Sequence, residues 1–339
     1  MPSCFRIVLL HAFVVCAYIC IYLFEKYADG SMMKLNIILI TFLFLSTVLK
    51  GQDVVANPGE SNRILFLGNS ITYRGLYVTY LETFLTLKHP DRQIEYINVG
   101  LPSETVSGLS EEGHAGGAFP RPDLRERLHR VLAATDPDLV FACYGMNDGI
   151  YMPFEDTIFQ KYRDGMEWLF NEVKASGANI VFLTPPVYDP VRDAAYSNVL
   201  DLFSDWLISK RYTDHWEVAD LHWPMKKFLE DQRVEEPDFF LAKDGVHPGE
   251  QGHWLMAREV LLFLGYEQVR GTATVAEALA PFQEGMELLA LVEQRQNMMK
   301  NAWLTSTGHT RPRMKTGLPM DEAMVLYRQI QQEIEALLK

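Results

Sequence analysis

From Arg63 onward, short apolar runs alternate with stretches of helical apolar spacing, and this alternation limits the possible folds more than any other feature of the chain. An apolar run of four to six residues bounded by turn residues makes a buried strand. Strands separated by amphipathic helices build a parallel sheet. Strands are expected at 64–67, 94–99, 139–143, 180–183 and, more weakly, 216–219. Between them Leu76, Tyr77, Tyr80, Leu81, Phe84 and Leu85 recur at helical spacing, as do Tyr162, Met166, Leu169, Phe170 and Val173, and then Tyr196, Leu200, Phe203 and Leu207. Pro122 suits the first turn of another helix, one that buries Leu124, Leu128 and Leu132 and breaks near Asp136-Pro137. Five strands with interleaved helices predict a three-layer α/β/α sandwich around a five-stranded parallel sheet. Ligands of such sheets bind beyond the carboxyl ends of the strands, so residues just after strands become the candidates for chemistry.

Beyond Gly265 the strands cease. Phe282, Met286, Leu289, Val292, Met299 and Trp303 form one helical stripe, and Ala323, Tyr327, Ile330, Ile334 and Leu337 form another. A catalytic-sized domain over 60–268 and a C-terminal helical extension over 269–339 are therefore expected, the latter a hairpin packed on the core or on itself.

Two apolar stretches, 7–24 and 35–49, precede all of this. Met32-Met33-Lys34 followed by an apolar run reads as a signal peptide over 32–51, which predicts a periplasmic or extracellular protein. Residues 1–31 then stand ahead of the true start. Their alternative reading is a membrane anchor, and it is the only route by which a membrane enters. A net charge of -13 argues against a protein that grips nucleic acid, since that needs a basic face. Cys4, Cys16 and Cys20 lie in or beside the first apolar stretch, which leaves Cys143 at the end of a strand. That thiol reads as a core residue; no activating pattern supports its rival reading as a nucleophile.

Four short patterns follow the expected strands. Gly68-Asn69-Ser70-Ile71-Thr72 puts a serine at a strand-to-helix turn, where it is either a nucleophile or a helix cap. Asn98-Val99-Gly100 opens a loop through Ser103, Glu104 and Thr105, and its glycine lets a backbone N–H face a ligand. Gly145-Met146-Asn147-Asp148 brings a side-chain amide to the same edge, a donor that stabilises developing negative charge without titrating. Asp244-Gly245-Val246-His247 places a carboxylate three residues before a histidine, close enough to curl back onto the imidazole N–H and leave the other ring nitrogen to take a proton. The competing reading, a metal held by Asp244, His247 and His253, lacks further ligands at supporting spacing, and neither metal nor cofactor is expected.

In this order the four patterns resemble blocks one, two, three and five of the SGNH (GDSL-like) hydrolases over about residues 62–265. The resemblance implies a flavodoxin-like sandwich, with Ser70 as nucleophile, His247 as base and Asp244 as its orienting acid. It also implies an oxyanion hole made by the Ser70 and Gly100 N–H groups and the Asn147 amide. One departure is Asn69, where the family usually has aspartate; asparagine keeps the hydrogen bonding but not the charge. The expected activity is ester hydrolysis through an acyl-enzyme. Its leading substrate class is an O-acetylated extracellular carbohydrate, with an acyltransferase or a non-catalytic glycan-binding protein as alternatives. Asn69, Tyr144 and Asp148 are candidates for substrate contact, and Tyr73, Tyr144 and Tyr151 stand where they could either stack on sugars or pack. The interhelical cluster of His309, Arg311 and Arg313 is either a solvated loop or an arm over the site that binds an acidic group.

Overall fold

The computed structural model describes residues 61–339. Both apolar N-terminal segments, and with them the export and anchor readings, lie outside the described residues. Five strands, β1 (Arg63–Gly68), β2 (Glu95–Asn98), β3 (Leu139–Cys143), β4 (Asn179–Leu183) and β5 (Glu217–Ala219), form one sheet in the order β2-β1-β3-β4-β5. Every pairing is parallel. Both faces of such a sheet are covered, and its strands accordingly read as unbroken apolar runs such as Leu139 to Cys143, all buried.

The helices are α1 (Ser70–Arg74), α2 (Leu76–Lys88), α3 (Leu128–Thr135), α4 (Asp156–Ala175), α5 (Ala194–Thr213), α6 (His222–Glu235), α7 (Glu250–Phe263), α8 (Val275–Leu279), α9 (Gly285–Thr307) and α10 (Met320–Leu337). Right-handed crossovers carry α2, between β1 and β2, to one face, and α3, α4 and α5, which run the other way along the sheet, to the opposite face. On that second face Tyr162 of α4 stacks on Phe203 of α5 with ring centroids 4.2 Å apart. The register then fixes the site. Gly68 pairs with Cys143, and Cys143 with Leu183, so the chain leaves β1, β3 and β4 at one level.

Two expectations are corrected. Pro122 does not open a helix: its carbonyl accepts from the Thr105 amide, Asp123 caps a single turn at Leu124–Glu126, and α3 begins only at Leu128. Pro122 fixes an extended segment before a cap, which its φ allows equally well. In the C-terminal stripe Phe282 lies ahead of α9 and Met286 is exposed, whereas Leu289, Val292, Met299 and Trp303 are buried. Leu288 and Val292 of α9 meet Ile330 and Ile334 of α10 in a small cluster of their own, while Met299, Ala302, Trp303 and Leu304 join the main core. Glu82 of α2, buried, pairs with Arg295 and accepts from Gln296 of α9, pinning the hairpin to the sandwich with charge as well as apolar area. Cys143 is a free, buried thiol whose titration burial pushes up to about 12, as fits a core residue.

Candidate active site

Ser70 is the first residue of α1, and the cap that the sequence left open falls to its neighbour. The Asn69 side chain accepts from the Ile71 amide at 3.1 Å. That leaves the Ser70 hydroxyl uncommitted to the backbone, and it lies 2.8 Å from His247 Nε2. The turn is tight. A Cβ at Gly68 would stand 2.2 Å from Thr72 Oγ1 and 2.8 Å from the Cys143 carbonyl, so only glycine lets β1 end there.

His247 is held from the far side by Asp244. Its Nδ1 lies 2.6 Å from Asp244 Oδ2, while Oδ1 accepts from the His247 amide at 2.8 Å and from the Val246 amide at 2.9 Å. Partial burial works to raise the Asp244 carboxyl, but the hydrogen bonds from the His247 amide, the His247 ring and the Val246 amide outweigh it and hold the group at about 2. With Nδ1 facing a carboxylate, the ring carries its hydrogen there and presents a free Nε2 lone pair to Ser70. His253 takes no part. It is buried, its Nδ1 accepts from the Tyr77 amide at 3.3 Å, and burial lowers its titration to about 3. Among the described residues no group of three or more histidine, cysteine, aspartate or glutamate side chains could hold a metal.

Gly100 and Asn147 differ in what they can offer. The Gly100 amide donates to Asn98 Oδ1 at 2.9 Å, and Asn98 Nδ2 donates to the Thr72 carbonyl at 2.7 Å, so the buried Asn98 ties this turn to α1. A Cβ on Gly100 would come 2.3 Å from the Tyr73 amide nitrogen. The glycine is thus needed for close approach, and its N–H, expected to face a ligand, is already taken. Asn147 Nδ2 donates once, to the Glu104 carbonyl at 3.1 Å, and its Oδ1 accepts from Tyr151 Oη at 3.3 Å. A side-chain amide has two hydrogens, so one remains for a ligand.

Three candidate substrate contacts are corrected by burial. Asn69, 2% exposed, is the cap just described. Tyr144 is fully buried and donates to Glu104 Oε2 at 2.7 Å, in a cluster where Glu104 also takes both Arg127 Nε and Arg127 Nη2. Asp148, also fully buried, accepts from the amides of Val106, Ser107 and Gly145 at 2.8, 2.9 and 2.8 Å. It ties the loop after β2 to the turn after β3, which is a framework task. Tyr151 and Tyr73 remain partly exposed.

Sequence reading passed over Arg121. Its guanidinium lies 5.3 Å from the Tyr151 ring centroid, donates to the Ser103 carbonyl at 3.4 Å and pairs with Glu111 at 2.6 and 2.7 Å. Glu111 is bonded in turn to His114, whose ring meets Phe119 edge-on with centroids 5.5 Å apart. The interhelical loop lands here rather than standing in solvent. Arg311 rests over Phe119, 5.3 Å from its centroid, His309 is partly buried, and Arg313 is exposed.

The chain matches the model of the GDSL-like Lipase/Acylhydrolase family over residues 66–255. It is 24% identical over 233 residues to an acetylxylan esterase of Geobacillus stearothermophilus, across 62% of this chain and 98% of that enzyme. Among solved structures it is similar to BT4096, a gut microbial diltiazem-metabolizing enzyme, with a TM-score of 0.50 and 22% identity, covering 61% of this chain. The match spans about half of that protein, 47%. The crystal structure of Axe2, an acetylxylan esterase from Geobacillus stearothermophilus, gives a TM-score of 0.49 at 23% identity, over 62% of this chain and 97% of that one.

Proposed function

The chain belongs to the GDSL-like lipase/acylhydrolase family, and from that premise we propose that it is a serine esterase that removes acetyl groups from carbohydrate. The observation that carries this reading is the unbroken chain from Ser70 Oγ to His247 Nε2 and from His247 Nδ1 to Asp244, at 2.8 and 2.6 Å. His247 takes the Ser70 proton as Oγ attacks the ester carbonyl, and Asp244 stabilises the imidazolium so formed. The carbonyl oxygen, now negative, is met by the Ser70 N–H and the second hydrogen of Asn147 Nδ2. The imidazolium returns the proton to the leaving sugar hydroxyl. Water then enters by the same route, with His247 again as base, and releases acetate. No step calls for a cofactor.

Carbohydrate as the alcohol part is supported by the likeness in sequence to an acetylxylan esterase. Export, read from residues 32–51, would bring the enzyme to extracellular glycans. The test is a panel of acetylated oligosaccharides and 4-nitrophenyl acetate, with Ser70→Ala as control and fluorophosphonate labelling of the wild type. Turnover and labelling that both vanish in Ser70→Ala support the mechanism; turnover of the aryl ester alone would remove the carbohydrate part. A mature N-terminus near Gln52 would support export, and one that retains Met1 would overturn it.

A further inference from the structure

We propose that the rim beside Ser70 formed by Lys300 and Arg311 is a subsite for the carboxylate of an acidic sugar, so that the acetylated glycan carries hexuronate units. This rests on the esterase reading above and specifies its substrate. The position comes from the fold. α9 runs along α2 and β2, and its last turns arrive at the edge where Ser70 lies: Asn301 Oδ1 accepts from Tyr73 Oη at 3.1 Å, and Lys300 Nζ stands 4.8 Å from the Tyr73 ring centroid. Tyr73 is one helical turn after Ser70 on α1. The chain is then tied down by Arg130, which donates to the Thr307 carbonyl at 2.9 Å, before Arg311 reaches Phe119.

The two cations here lack what the most deeply buried arginines among the described residues have. Each arginine that is buried among the described residues has a carboxylate: Arg127 has Glu104, Arg121 has Glu111, and Arg295 has Glu82. Among the described residues Lys300 and Arg311 have none. Lys300, 9% exposed, donates to Asn297 Oδ1 at 3.0 Å. Arg311 Nη1 donates to the Pro312 carbonyl and lies 3.1 Å from the Met314 sulfur, and its buried Nε finds no acceptor. Burial lowers the titration of both groups; at Lys300 the Glu293 charge opposes the effect and Lys315 adds to it, without reversing it. The stretch 294–320 contains no aspartate or glutamate in a chain of net charge -13; Glu293, just before it, acts on Lys300 through space but forms no ion pair with it.

Holding a desolvated cation without an ion-paired carboxylate is costly, and an anion supplied from outside lowers that cost. Tyr73 and Phe119, over which the two cations lie, add aromatic surface for a sugar ring that bears the anion, because aromatic side chains pack against the apolar face of a pyranose while the carboxylate meets guanidinium and ammonium. A small inorganic anion would leave those rings unused.

The experiment separates this from the esterase reading by using a ligand with no ester. Calorimetry on the wild-type protein compares xylotriose with xylotriose bearing a 4-O-methylglucuronic acid branch, both free of acetyl groups, at low and high salt. The acidic ligand should bind about tenfold tighter at low salt, the factor that roughly 1.4 kcal/mol of charge-assisted contact gives, and the advantage should shrink at high salt. Arg311→Gln and Lys300→Met should each lose most of the preference, and Arg311→Lys should keep the greater part. Equal affinity for the two trisaccharides, or a preference untouched in both Arg311→Gln and Lys300→Met, overturns the subsite whatever the esterase assays show. Failure of the esterase reading would appear instead as absent turnover with the acid preference intact.

Discussion

Asp244 grips His247 at two points, ring Nδ1 at 2.6 Å and backbone amide at 2.8 Å, so one carboxylate fixes both the tautomer of the imidazole and the turn that carries it. The depressed carboxyl gives a definite pH expectation. A group whose folded value lies below its unfolded one adds stability that is fully present above the unfolded value and is lost as pH falls through the folded one, here about 2. Acid loss of activity above about pH 4, the ordinary aspartate range, is therefore not protonation of Asp244. Asp244→Asn should lower kcat by about 10² to 10⁴, the range for removing the orienting partner of a catalytic histidine. A pH profile of kcat/KM checks both parts: the acid limb should persist in Asp244→Asn at reduced height, and a limb that disappears with the substitution contradicts the assignment.

Asn98 predicts a loss of stability. Its side chain closes two buried hydrogen bonds, to the Gly100 amide and the Thr72 carbonyl, and Asn98→Ala leaves both orphaned. Each orphan costs about 1–3 kcal/mol. For a domain of this size a loss of about 2–6 kcal/mol should bring Tm down by roughly 4–24 °C. Thermal melting followed by circular dichroism measures it, and an unchanged Tm would show that water or a shifted backbone replaces both bonds.

Most of the sheet was legible because both of its faces are buried: an apolar run such as Leu139 to Cys143 cannot be placed on a surface, and its edges follow from Asp138 and Gly145. Ser70, Asp244 and His247 were legible for a related reason, since each stands where a strand ends or a turn forces the chain back. Helix α6 was not, because only His222, Met225 and Leu229 are buried on it, too sparse a stripe to show a period. The roles of Tyr144 and Asp148 were misread because a polar residue after a strand is ambiguous. Whether it faces the ligand or the framework depends on partners such as Glu104 for Tyr144 and the Ser107 amide for Asp148, which lie 40 and 41 positions away and cannot be found by local spacing. Arg121 was missed for the same reason: its carboxylate partner Glu111 and the Tyr151 ring meet it only in the folded chain.

Asn147 is expected to act on the rate and not on ground-state binding. An amide that meets the oxygen only when it turns negative lowers the barrier without tightening the substrate complex. Asn147→Ala should lower kcat by about 10² to 10³ with KM little changed. Tyr151→Phe removes only the hydroxyl that orients Asn147 Oδ1 at 3.3 Å and should have a much smaller effect on kcat. Steady-state kinetics with 4-nitrophenyl acetate checks the pair. A rise in KM without a fall in kcat for Asn147→Ala would assign the amide to substrate binding.

Glu104 links that amide to the interior. Its backbone carbonyl anchors Asn147, while its carboxylate, fully buried, takes Arg127 Nε at 2.6 Å, Arg127 Nη2 at 2.7 Å and Tyr144 Oη at 2.7 Å. Burial pushes the Glu104 carboxyl upward, and the Arg127 charge opposes that push. Removing the arginine leaves a charge in the core with one hydroxyl to satisfy it. Arg127→Met should therefore cost about 3–5 kcal/mol, seen as a lower urea midpoint with an unchanged slope. Glu104→Gln/Arg127→Met, which removes both charges, should recover part of that loss, because no ion is then left unpaired in the core. The two variants also separate stability from chemistry. If the cluster acts on Asn147 through the Glu104 backbone, kcat should fall in Arg127→Met under conditions where the variant is fully folded, and recover in the double variant; equal kcat in all three proteins would confine the cluster to holding the fold.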